Sequence, residues 1–121
     1  MISDAESRVM DVLWAKSPLP ADDIVAAIAD EQNWSAATVR TLLNRLLAKG
    51  AISAERDGRR YLYRPVVARA DYVTAESQNL LDRLFGGRVA PLVSQFAEQR
   101  KLSREDLEHL KRLIEELDRD E

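Results

Sequence analysis

Apolar residues recur at helical spacing through the first fifty positions, alternate with a period of two between residues 52 and 64, and return to helical spacing from residue 68 onward. Ser3-Asp4-Ala5-Glu6 fits a capping box, with Ser3 as N-cap and Glu6 reaching back to its N–H. The helix that follows has a broad apolar face of Ala5, Val9, Met10, Val12, Leu13 and Trp14. Such a width implies burial on more than one side, and Trp14 reads as core. Ser17-Pro18-Leu19-Pro20 reads as a turn, because its prolines preclude helix continuation. Ala21 to Asp30 forms a second short helix with Asp22 and Asp23 near its positive end and Ile24, Val25 and Ile28 facing inward.

Residues 31–33 turn into a third helix with a well-marked start. Ser35 is placed as its N-cap, and Trp34 before it staples onto Val39. Val39, Leu42, Leu43, Leu46 and Leu47 form one apolar stripe, and Gly50 ends the helix after Lys49. The opposite face carries Ala37, Thr41, Asn44, Arg45 and Ala48, flanked by Thr38 and Arg40, with no carboxylate. A hairpin follows, with Ile52–Arg56 and Arg59–Tyr63 flanking an Asp57-Gly58 turn; Tyr61 and Tyr63 share one face and pack beside Ile52. Three short helices and a basic hairpin are the order of a winged helix-turn-helix, in which the third helix (35–49) enters a groove of DNA and the wing (52–64) touches the backbone. The fold class is mainly α with a small β-hairpin wing.

After Pro65-Val66 the character changes. Residues 68–85 form a longer helix with Val73, Leu80, Leu81 and Leu84 on one side, and Gly86-Gly87 breaks it. Residues 88–100 are helical again around Val89, Leu92, Val93, Phe96 and Ala97, with Pro91 tolerated in the first turn. Ser103 to Asp106 is another capping motif, and Leu107, Leu110, Ile114 and Leu117 continue as a seam of coiled-coil type. A segment this small cannot bury three amphipathic faces within one chain. The reading is therefore two domains, with residues 1–67 for DNA and residues 68–121 for pairing with a second copy. Leu80, Leu84, Phe96, Leu107, Leu110, Ile114 and Leu117 form the expected dimer surface.

The overall charge of −3 fits DNA binding only once it is divided along the chain. Residues 38–70 carry eight basic and two acidic side chains, while the segments on either side are both acidic. Positive charge is confined to the expected reading surface. There is no cysteine, hence no disulfide, thiolate nucleophile or Cys-based metal site, and the single histidine, His109, lies in a charged helix without the partners of a catalytic triad. No paired carboxylates, metal-ligand cluster or phosphate-cradling loop stands out, so the chain reads as neither an enzyme nor a cofactor or metal protein. No apolar run reaches membrane-spanning length and no secretory signal precedes the first helix, from which a cytoplasmic location is expected. The competing readings are a winged-helix module that binds protein, and a ligand-sensing regulator of another winged-helix family.

The motifs E-S-R-V-M-D-V-L-W, W-S-A-A-T-V-R-T-L-L-N-R-L-L-A-K-G and D-G-R-R-Y-L-Y, with the Gly-Gly break before L-V-S-Q-F-A-E, together resemble the penicillinase repressor family, also called BlaI/MecI/CopY. The resemblance covers nearly the whole chain. It implies a dimeric bacterial transcriptional repressor bound to a palindromic operator, often of β-lactamase or related resistance genes. On that resemblance Thr38, Arg40, Thr41, Asn44 and Arg45 fall at base-reading positions, and Ser35, Lys49, Arg59 and Arg60 at phosphates. Arg suits guanine, Asn adenine, and a Thr methyl the thymine methyl; Arg40, at the edge of the buried stripe, equally suits a phosphate. The copper-sensing chemistry of cysteine-bearing members is excluded here. The resemblance further implies a membrane-bound sensor metalloprotease as a partner, with Gln95-Phe96 as the candidate cleavage site, where the family pattern has Asn before the Phe.

Overall fold

The computed structural model describes residues 1–120. Its elements run α1 (Asp4–Ala15), β1 (Leu19–Pro20), α2 (Ala21–Gln32), α3 (Ala36–Ala48), β2 (Ile52–Asp57), β3 (Arg60–Pro65), α4 (Arg69–Leu84), α5 (Val89–Glu98) and α6 (Arg104–Asp120). The chain divides into two compact units, Met1–Val73 and Thr74–Glu121.

Local chemistry sets most of the helix ends. Ser3 Oγ accepts the Glu6 N–H at 3.1 Å while Glu6 Oε1 accepts the Ser3 N–H at 2.8 Å, a complete capping box. Ser103 and Asp106 repeat the arrangement at the start of α6, at 3.0 and 3.4 Å. The end of α3 is a Schellman motif: Ala51 N–H donates to Leu46 O and Gly50 N–H to Leu47 O, both at 3.0 Å, with Gly50 at φ +73°. Glycine takes that left-handed conformation without a Cβ clash.

In the first unit the three helices converge on a core in which Val9, Met10 and Leu13 of α1, Ile24 and Ile28 of α2, and Val39, Leu42, Leu43 and Leu46 of α3 are buried. Each fully buried side chain such as Leu43 or Leu46 contributes roughly 1.5–3 kcal/mol by leaving water. Trp14 is half-buried against this cluster, its indole N–H donating to Val67 O at 2.9 Å and its ring centroid 5.3 Å from that of Tyr72. These two contacts tie the start of α4 to the first unit. The division accordingly falls after Val73, inside α4, and beyond the residue-67 boundary read from the sequence.

Two local expectations are corrected. Leu19-Pro20 is a short strand and not only a turn: it pairs antiparallel with β3, Leu19 against Tyr63 and Pro20 against Leu62, in a sheet of order β1-β3-β2. A proline is tolerated there because β1 lies at the sheet edge. The hairpin turn is also shifted by one residue. Asp57 pairs with Arg60, so the two-residue loop is Gly58-Arg59, with Gly58 at φ +66° and Arg59 at the tip. Tyr63 then faces Ala54, and Tyr61 faces Arg56 near the tip, where it is exposed, in place of the expected position beside Ile52.

In the second unit Leu81 is the one buried residue among those described. Leu80, Leu84, Phe96, Leu107, Ile114 and Leu117 are exposed, and Leu110 is half-buried. No helix of the described residues is long and apolar enough to cross a membrane.

Candidate nucleic-acid interface

The solvated face of α3 is built by its cap. Ser35 Oγ accepts the Thr38 N–H at 3.2 Å and lies 3.0 Å from Thr38 Oγ1, so both hydroxyls are drawn into the first turn. Thr41 Oγ1 donates to Ala37 O at 3.0 Å, which orients its methyl while leaving the oxygen lone pairs available. Asn44 and Arg45, on the same exposed face, have no side-chain hydrogen bond or ion pair to any other described residue. Their donors and acceptors remain free for an external partner.

The wing supplies a second basic group. Arg59 at the hairpin tip is likewise without a side-chain partner among the described residues. Arg60 is held by Asp57 at 3.3 Å, Arg64 lies 3.8 Å from Glu55, and Arg56 donates to Gly58 O at 3.1 Å with its guanidinium 5.8 Å from the Tyr61 ring centroid. A cleft of about 430 Å³ lies between the start of α2 and the wing, with Asp22 and Asp23 on one side, Arg59, Arg60, Tyr61 and Tyr63 on the other, and Arg40 of α3 at its border. A second cleft, of about 500 Å³, lies between α1 and α2 over Val12, Ala15 and Ala27.

Arg40 and Lys49 are occupied differently from what the sequence suggested. Arg40 Nη2 forms an ion pair with Asp22 Oδ1 at 3.2 Å, so a carboxylate from α2 enters a surface whose own helix has none. Lys49 Nζ lies 2.5 Å from Glu6 Oε1 and 2.6 Å from Met1 O, and is thus directed at α1. Glu6 is buried, and its Oε2 has no hydrogen-bond partner among the described residues. Burial pushes the Glu6 carboxyl up, but the hydrogen bonds from Lys49 and Ser3 and the Lys49 charge outweigh it, and the group stays below the usual glutamate value. Sequence reasoning missed both acidic partners. Glu6 was already assigned to its cap, and no local pattern links Asp22 to α3.

Among the described residues no His, Cys, Asp and Glu cluster could hold a metal ion. The surface instead presents Thr, Asn and Arg side chains on a convex helix beside a basic hairpin, which are donors and acceptors suited to base edges and phosphates. The profile of the penicillinase repressor family matches residues 2–116.

The chain belongs to that family.

It is 34% identical to the penicillinase repressor of Bacillus licheniformis over 115 residues, which cover 95% of this chain and 90% of the relative. It is 33% identical to the methicillin resistance regulatory protein MecI of Staphylococcus aureus (strain N315) over 113 residues, or 93% and 92% of the two chains. In structure it matches the DNA-binding domain of the repressor BlaI with a TM-score of 0.55 at 36% identity, over 60% of this chain and 88% of that one. It also matches the Bacillus licheniformis BlaI monomeric form in complex with the blaP half-operator, with a TM-score of 0.53 at 36% identity and the same coverage. MepR, a Staphylococcus aureus transcription regulator, shares the fold at a TM-score of 0.52 and 23% identity, over 96% of this chain and 77% of that one. This member of the penicillinase repressor family therefore has a winged-helix fold, and its family is one of repressors and not of enzymes.

Proposed function

We propose that this protein is a cytoplasmic transcriptional repressor that occupies a palindromic operator as a homodimer and controls β-lactamase or related resistance genes. The observation that carries the reading is the face of α3: Thr38, Thr41, Asn44 and Arg45 stand on one solvated side, and Asn44 and Arg45 have no intramolecular partner among the described residues. An unpartnered Asn and Arg on an exposed helix are the side chains that hydrogen-bond adenine and guanine edges. The half-operator complex of the Bacillus licheniformis relative supports placing this helix on duplex DNA.

The second unit supports pairing of two copies. Its exposed apolar side chains include Leu84, Ile114 and Leu117, and α6 repeats Leu107, Leu110, Ile114 and Leu117 at seam spacing. A two-fold axis then sets two α3 helices on successive major-groove faces. Release by a membrane-bound sensor metalloprotease at Gln95-Phe96 fits the exposure of both residues on α5. Cutting there removes α6 from the chain and with it the dimer that links two weak half-sites.

The test is fluorescence anisotropy of the purified protein against its own upstream intergenic DNA and a scrambled duplex, across a salt series. The expected result is selective binding of two chains per site. With roughly 6–10 phosphate contacts per dimer, affinity falls by about 10³ to 10⁵ between 50 and 200 mM salt. Equal binding of both DNAs at every salt concentration refutes operator recognition.

A further inference from the structure

Of the basic side chains that border the cleft between the start of α2 and the wing, Arg60 pairs within its own hairpin with Asp57, whereas Arg40 of α3 pairs with an acid of a different helix. That partner, Asp22, stands in the first turn of α2, where Pro20 as N-cap offers no side-chain hydrogen bond and the helix's positive end favours a carboxylate. Its Oδ1 meets Arg40 Nη2 at 3.2 Å, with the two side chains 88% and 57% exposed, and Asp22, Asp23, Arg40 and Arg59 line the same cleft. A pair this open is weak and readily exchanged. A guanidinium offers its planar fork equally to a carboxylate or a phosphate, so an acid held at Arg40 and a DNA phosphate compete for the same donors.

On the reading of this surface as the DNA interface, we propose that Asp22 is an intramolecular competitor for DNA phosphate. It holds Arg40 in the free protein and releases it when a duplex seats against α3 and the wing. Asp22 thereby sets the affinity of the repressor below what its arginines alone would give. It is a positioning residue: it acts on DNA through Arg40.

The test compares full-length wild type with Asp22→Asn, Asp4→Asn, Arg40→Ala and the Arg40→Ala/Asp22→Asn double variant. Each is titrated by anisotropy against the upstream and scrambled duplexes at about 50 mM salt, where binding is strongest. Asp4→Asn removes the same charge from a helix first turn that does not line the cleft, and so controls for net charge. The expected result is that Asp22→Asn binds both duplexes about two- to fivefold more tightly than Asp4→Asn, the scale of an exposed ion pair. Its salt dependence steepens by about one phosphate contact. In the Arg40→Ala background that gain disappears. A gain no larger than that of Asp4→Asn, weaker binding, or a gain that persists without Arg40 overturns the proposal. A purely helix-stabilising role for Asp22 lowers the melting temperature without tightening DNA binding, which is one of those overturning results. Wild-type protein that binds neither duplex overturns the repressor reading itself, whereas wild-type binding without the Asp22→Asn gain overturns only the role of Asp22.

Discussion

Lys49 at the end of α3 places its ammonium 2.5 Å from Oε1 of Glu6, a carboxylate that is 1% exposed at the start of α1. The pair joins the first turn of α1 to the C-cap of α3, the helix with the solvated face of Thr38, Thr41, Asn44 and Arg45. Glu6 also caps α1 through Ser3, so one buried carboxylate serves both a helix end and an interhelical tie.

This arrangement predicts a stability that depends on acid. Burial works to raise the Glu6 pKa, and Lys49 and Ser3 more than reverse it, leaving it below the ordinary value of 4.5. A carboxyl with a lowered folded-state pKa stabilises the fold above its unfolded pKa and loses that contribution as pH falls through the folded value. Urea unfolding of wild type should therefore weaken as pH drops below about 4.5, and Glu6→Gln should flatten that part of the profile. Lys49→Ala, which leaves the buried carboxylate short of a partner, should cost about 1–3 kcal/mol at neutral pH. A Lys49→Ala protein as stable as wild type would show the tie to be energetically idle.

Arg45 and Arg59 both lack a side-chain partner among the described residues, but one lies on α3 and the other at the wing tip, and they should fail differently. Arg45→Ala is expected to lose about 1–3 kcal/mol on the operator and to relax its selectivity, whereas Arg59→Ala weakens operator and random duplex alike. Competition binding with single-base operator variants separates the two. Equal loss on all sequences for Arg45→Ala would assign it to a phosphate.

Arg100 has φ +56° just past α5, where the Arg100 N–H donates to Ala97 O at 3.1 Å and the Lys101 N–H to Phe96 O at 2.8 Å. This is the same helix-ending motif that Gly50 closes after α3, here with a Cβ-bearing residue in the left-handed region. Arg100→Gly should raise stability by about 0.5–1 kcal/mol, the relief of that strain exceeding the added freedom of the unfolded chain. Thermal melts at fixed protein concentration measure it, and an unchanged or lower midpoint refutes it.

Ile114 and Leu117 are 58% and 66% exposed on α6. If they form the pairing seam, Ile114→Asp should yield a monomer in sedimentation and lower operator affinity about 10²- to 10⁴-fold, with little change on an isolated half-site. A dimer that survives Ile114→Asp would move the interface elsewhere.

Much of this molecule was legible in the order of its residues. The helices, the caps at Ser3, Ser35 and Ser103, the stop at Gly50 and the basic segment of residues 38–70 depend on neighbours within a turn or two, and such short-range chemistry is written directly in the chain. The solvated face of α3 follows in the same way from a period of 3.6 residues. The pairing of Leu19-Pro20 with β3, the shift of the turn to Gly58-Arg59, the attachment of α4 through Trp14 and Tyr72, and the partners of Arg40 and Lys49 were decided by the tertiary structure. Lys49 and Glu6 stand 43 residues apart, and Arg40 and Asp22 stand 18 apart. Which acid meets which base over such separations is set by how the helices pack, because a charge finds its partner only after burial of the apolar stripes has brought the elements together.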